Sequence, residues 1–165
     1  MRILHVNECA EWCRDHGAQI ADPFELASDP ALGHTARILF APSGSIGLEA
    51  AALASCVDAI TPYDAALLWV REWGIWPSSE DWPRFYAARG VHGERQSLGD
   101  KPGHLFGPTD EQDLALFLRL ILDQGWGGHL LAARGDRIAR RLWVSHDGWV
   151  ELHSTEPVSF SLPAT

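Results

Sequence analysis

The chain has 165 residues and a formal net charge of −9, with 46% hydrophobic and 21% charged residues. That balance fits a folded protein with its own core and excludes a disordered or collagen-like chain. No segment is basic overall, which disfavours phosphate-backbone binding, so no nucleic-acid partner is expected. No apolar run approaches the roughly 20 residues of a membrane span, and the start MRILHVNECAEW has no signal-peptide core. No membrane contact and a cytoplasmic location are therefore expected. Three cysteines give no disulfide framework.

The first predicted element is a helix over ECAEWCRDHG, with Asn7 as N-cap and Gly17 as its stop. At about 100° per residue, Cys9 and Cys13 share a face, with His5 and His16 near it. Two histidines and two cysteines are a zinc ligand set, but one helix cannot wrap four ligands around an ion. The stretch reads as a buried packing face, with a metal site or redox pair as lesser alternatives and no metal assigned.

Residues 21–35 read as a connection with a short turn of helix. ARILFAP (36–42) reads as a strand ending at Pro42, and LEAAALASCVDAI (48–60) as a helix. TPYDAALLWVREWG reads as a further helix, with Thr61 capping, Pro62 at the first position and Trp69 and Trp73 one turn apart. SSEDWPRFYAARG restarts a helix capped by Ser78 or Ser79 and stopped at Gly90. VHGERQSLGDKPGHLFGP (91–108) is loop-rich. TDEQDLALFLRLILDQG is the clearest helix, with a Thr109–Gln112 capping box and a stripe of Leu114, Phe117, Leu118, Ile121 and Leu122. HLLAA, RIARRLWVS and WVELHS then read as three hairpin-linked strands turning at RGD and HDG.

The expected fold is a single α+β domain over residues 1–165. Helices fill the first two thirds and pack against a C-terminal three- or four-stranded antiparallel sheet, the strand at 36–42 being the fourth member.

Four constellations bear on chemistry. His104, in PGHLF before an acidic helix start, reads first as a turn histidine that caps or packs, with general-base work beside Asp113 as the functional alternative. In SHDG, Ser145, His146 and Asp147 have triad residue types but adjacent residues cannot converge as a triad. A hairpin turn explains them better, with His146 and Asp147 kept as catalytic candidates; His153 could approach His146 or His129 across strands. ARGDRIARR is a basic patch in which Arg137 and Arg141 are expected on one strand face, suited to an anion or acidic partner. Trp69, Trp73 and Trp76 form either core or a stacking pocket. No P-loop, GxGxxG, HExxH, EF-hand or CxxC motif occurs, so no cofactor is expected.

WVREWGIWPSSE, PGHLF, the acidic helix with its Gly-Trp, and SHDGWV together resemble a group of uncharacterised bacterial proteins with the pattern WVxxWGxWxSSE, PGHLF and SHDxWV. The resemblance covers roughly residues 60–152 and implies no activity. The leading expectation is a non-enzymatic binding or protein-interaction module, its acidic balance suiting a basic protein partner. The alternative is a small hydrolase using His104 with Asp113 and also His146 with Asp147.

Overall fold

The computed structural model describes residues 1–22, 25–39, 46–73 and 82–158. Among the described residues nine strands run β1 (Arg2–Leu4), β2 (Ile20–Asp22), β3 (Glu25–Leu26), β4 (His34–Leu39), β5 (Ala65–Glu72), β6 (Gly103–Phe106), β7 (Gly127–Arg134), β8 (Arg137–Ser145) and β9 (Trp149–Ser154). Four helices are α1 (Val6–Asp15), α2 (Ile46–Ile60), α3 (Trp82–Val91) and α4 (Glu111–Asp123). Seven strands form one antiparallel sheet in the order β1-β6-β5-β7-β8-β9-β4, and β2 with β3 forms a separate hairpin.

This corrects the expected architecture. The sheet has seven strands drawn from both ends of the chain, not three or four at its C-terminus, and helices alternate with strands. The largest single departure is β5, expected as a helix. Ala66, Leu68 and Val70 join the core on the α2–α4 side, while Leu67 and Trp69 join the core under α1. A strand buried on both faces carries a near-continuous apolar run, and periodicity alone does not separate such a run from a helix. PGHLF is likewise strand β6 between β1 and β5, not loop. Ile20–Asp22 and Glu25–Leu26 pair as β2 and β3 where a connection with a helical turn was expected. The 36–42 strand is realised as β4, paired to β9 at the sheet edge, and the β7–β8–β9 meander forms as read. The expected caps Ser78 and Ser79 lie outside the described residues.

One face of the sheet carries the larger core. Phe106, Leu130, Leu142, Val150 and Leu152 there meet Phe85 of α3 and Leu114, Phe117, Leu118 and Ile121 of α4. The other face is covered only in part, where Leu4, Cys9, Cys13, Leu67, Trp69 and Leu131 pack together. Gly103 sets how closely α1 can lie. A Cβ there would overlap the Cys9 sulfur and come within 3.1 Å of the Leu4 Cβ. Gly128 does the same between strands, since its Cβ would lie 2.7 Å from the Trp69 carbonyl oxygen.

Gly103→Ala should therefore push α1 off the sheet and cost about 1–3 kcal/mol. Gly90→Ala, in an exposed helical position with open space around the added methyl, should be neutral or stabilise by about 0.4–1 kcal/mol. Urea unfolding midpoints of the two variants against the parent chain test the contrast.

Candidate functional site

Beyond α1 the incompletely covered face turns polar. Strand alternation sends Leu142, Val144, Val150 and Leu152 into the core and turns Arg141, Trp143, Glu151 and His153 to the opposite side. The register lines these up in two rows across the strands: Trp69, His129, Trp143, Glu151 and Arg37 in one, Leu131, Arg141, His153 and Thr35 in the next. A bulge in β5 skips Arg71 between the pairs Val70–Gly128 and Glu72–Gly127. It thereby delivers both Arg71 and Glu72 to the end of the first row.

Leu26 of the hairpin closes over these residues and leaves a cavity of about 410 Å³, lined also by Arg71, Glu72, His129, Arg141, Trp143, Glu151 and His153. A second cavity of about 260 Å³ lies beside it beneath residues 26–30 and shares Leu26 and Arg141.

Both carboxylates of the larger cavity are already held. Arg37 donates to Glu151 Oε2 from Nε at 3.0 Å and Nη2 at 2.6 Å, and His153 Nε2 is 2.7 Å from Oε1. Burial alone would raise the Glu151 carboxyl, but these hydrogen bonds outweigh it and hold it below its ordinary range. Glu72 Oε2 is 2.6 Å from His146 Nδ1, and Asp147 approaches Nε2 at 3.4 Å. The Glu72 hydrogen bond, ahead of the opposing burial effect, raises the His146 pKa.

Arg141 and His129 are less fully engaged. Arg71 lies over the Trp69 ring at 4.9 Å. Arg141 reaches the Ala27 carbonyl only at 3.4 Å, and its buried Nε has no hydrogen-bond partner. His129 is 6% exposed, and its Nδ1 also lacks a partner. Burial, then Arg141 and Arg71, push the His129 pKa well below its ordinary value, so its ring is neutral. The Trp143 ring sits 4.5 Å from it at 48°.

Of the residues singled out by sequence, Arg141 alone lines this cavity. His104 is fully buried between Phe85 and Phe117, and burial followed by Arg89 lowers its pKa to about 3. Asp113 faces His92 at 3.5 Å instead. The expected His104–Asp113 pair is thus not assembled, because β6 turns His104 into the core. In SHDG, the Gly148 N–H donates to the Ser145 carbonyl, Gly148 has φ 81°, and the Asp147 N–H donates to Ser145 Oγ. The hairpin reading explains the motif, although Ser145 rather than Asp147 supplies the side-chain contact.

The arginine patch is divided. One residue of β8 is extra where Ala132 and Ala133 pair with Arg140 and Ile138. This bulge places Ile138 in the α1-side core with Leu131, so Arg137 does not share the face of Arg141 as expected. Arg140 donates to the Ala59 and Thr61 carbonyls at the end of α2, Arg134 donates to the Pro62 carbonyl, and Arg137 is exposed. Trp69 is 1% exposed under α1, Trp73 packs toward the opposite core, and Trp76 lies outside the described residues. Trp69 and Trp73 thus point to opposite faces and frame no common pocket.

Cys9 and Cys13 are wholly buried, with burial raising both thiols, Cys13 to about 12. His5 Nδ1 turns to the Asp100 carbonyl, and His16 stacks on Trp12 at 4.2 Å. Among the described residues no group of three His, Cys, Asp or Glu is placed to hold a metal. Nor does any described helix have the length and apolarity to cross a membrane. Comparisons with protein-family models, curated proteins and solved structures returned no match.

Sequence reading missed Arg71, Glu72, Trp143 and Glu151 as site residues and mentioned His129 and His153 only as possible neighbours. The available signal was the apolar–polar alternation of RRLWVS and WVELHS. It marks the face on which these residues lie, but the row they form depends on cross-strand register.

The histidines give opposite pH dependences. The raised His146 pKa adds stability that is complete below about pH 6.5, the unfolded imidazole value, and is lost as pH rises through the folded pKa. His104 and His129 are neutral in both states at neutral pH. Below about 6.5 the unfolded chain takes up protons first, so stability falls as pH drops towards their depressed folded values. His146→Asn should therefore cost more stability at about pH 6 than at about pH 9. His104→Leu should flatten the loss between pH 6.5 and about 3. Urea midpoints across this range measure both effects.

Proposed function

We propose that this protein is a non-enzymatic binding module whose receptor site is the cavity on the sheet face. One observation carries the reading: the cavity joins two arginines, two histidines and a tryptophan, and its described lining contains no Ser, Thr, Cys, Tyr or Lys. Such walls fix and orient a ligand through charge and stacking and offer no hydroxyl, thiol or amine nucleophile. Both ring nitrogens of His146 face carboxylates, which occupies the histidine nearest a catalytic arrangement. The sealed position of His104 weighs in the same direction. The acidic exterior keeps polyanions such as nucleic acid away and suits a basic protein partner on the remaining surface.

The hydrolase reading keeps one support, the pair of glutamates Glu72 and Glu151 lining one cavity. Thermal unfolding against a panel of small charged molecules separates the two. Binding to the folded state raises the midpoint by mass action. Stabilising compounds are expected whose effect disappears in Trp143→Ala while the variant stays folded. Turnover of a chromogenic ester, phosphate ester or glycoside, abolished by Glu72→Gln or Glu151→Gln, would replace this reading with the enzymatic one.

A further inference from the structure

The cavity has a chemical preference that follows from how its charges are arranged, and the inference rests on the binding reading above. Glu151 is satisfied from outside by Arg37 and from beside by His153, and Glu72 is satisfied by His146. The carboxylates are thus each held by hydrogen-bonding partners at the margins of the site. Arg141 has no equivalent among the described residues: its hydrogen bond to the Ala27 carbonyl is long at 3.4 Å, and its Nε is buried without a partner. A buried charged donor left unpaired is costly, and a guanidinium fork matches the two oxygens of a carboxylate or phosphate. His129 adds a second unpartnered polar atom, Nδ1, on the same floor at 6% exposure. Trp143 stands beside it as a half-buried aromatic face. The volume of about 410 Å³ falls in the range of roughly 300–1,000 Å³ typical of small-molecule sites.

We infer that the cavity binds a small organic oxyanion, its carboxylate or phosphate held by Arg141 and His129 and its planar body stacked on Trp143. A small molecule fits better than an acidic protein, because the net charge of −9 repels a large polyanion over a Debye length while a half-buried arginine acts at contact range.

The test uses the full chain and three matched probes: benzoate, phenyl phosphate and neutral benzyl alcohol. Binding is followed by the Trp143 indole N–H signal in nitrogen-correlated NMR spectra, assigned with Trp143→Phe, with dissociation constants from the titrations. At least one anion should shift that signal with millimolar affinity, at least about ten-fold tighter than benzyl alcohol. Arg141→Gln should weaken the anion by about ten-fold or more, and exposed Arg137→Gln by less than about two-fold. The comparison of benzoate with benzyl alcohol needs no variant, so it holds even if Arg141→Gln fails to fold. The better of the two anions tells carboxylate from phosphate.

Equal binding of benzyl alcohol, or anion binding indifferent to a folded Arg141→Gln, overturns the oxyanion assignment while leaving a ligand site at Trp143. A short acetylated oligoglutamate binding more tightly than benzoate overturns the small-molecule part. No response to either anion at about 20 mM sinks the inference. The binding reading then fails separately only if the wider panel also gives no Trp143-dependent stabilisation.

Discussion

One helix cannot cover a seven-stranded sheet, and the candidate site follows from that mismatch. Strands about 4.8 Å apart make the sheet roughly 29 Å wide, whereas a ten-residue helix is about 15 Å long and 10 Å across. Three helices stand on one face. On the other, α1 covers the strands around β5 and β6, and the short hairpin extends cover only to Leu26. The outer strands must then present side chains that tolerate water on that side and apolar ones on the other. Arg141, Trp143, Glu151 and His153 on β8 and β9 meet that requirement, and the boundary between covered and uncovered face is where the cavity opens.

At this boundary, burial and charge act together. Deep under the hairpin, His129 is neutral and Arg141 is partly desolvated, so an arriving charge would be felt more strongly than at an open surface. Farther out, Arg37 lies on the Trp149 ring at 4.1 Å while binding Glu151, which fixes the outer wall with one aromatic and one ionic contact. The glycines serve the same geometry from below. Gly127 leaves room for the Glu72 side chain, and Gly128 lets β5 approach β7 closely at Trp69.

The helices α1, α2, α3 and α4 were legible from helix-forming composition and apolar stripes, but their starts were not: α1 is capped by His5 rather than Asn7, and α4 by Asp110 rather than Thr109. The meander was legible from its hairpin turns. β5 was not, because Thr-Pro-x-Asp imitates a helix start and its two buried faces erase the alternation that marks an ordinary strand. β6 hid within a glycine- and proline-rich stretch, where Gly103 answers to Cys9 some 94 residues away rather than to a turn. Of the site, Arg141 could be picked out as a member of the arginine patch ARGDRIARR. Its neighbours could not, since Arg71, His129 and Glu151 meet only once four strands are in register and two bulges have shifted the pairing. The Arg137–Arg141 pairing failed for the same reason: a single inserted residue reverses a face.

The strand order also sets a timetable. β1 pairs with β6, and β4 pairs with β9, so the first 39 residues supply both edges of a sheet whose middle is made later. During synthesis, β4 emerges on the order of 100 residues before its partner exists. At about 5–20 residues per second that is a wait on the order of ten seconds. Throughout it the segment carries unpaired backbone donors and acceptors that a nascent-chain chaperone or a protease can engage. Strand β4 is thus made early and sheltered late, and the sheet closes at that edge only when β9 arrives.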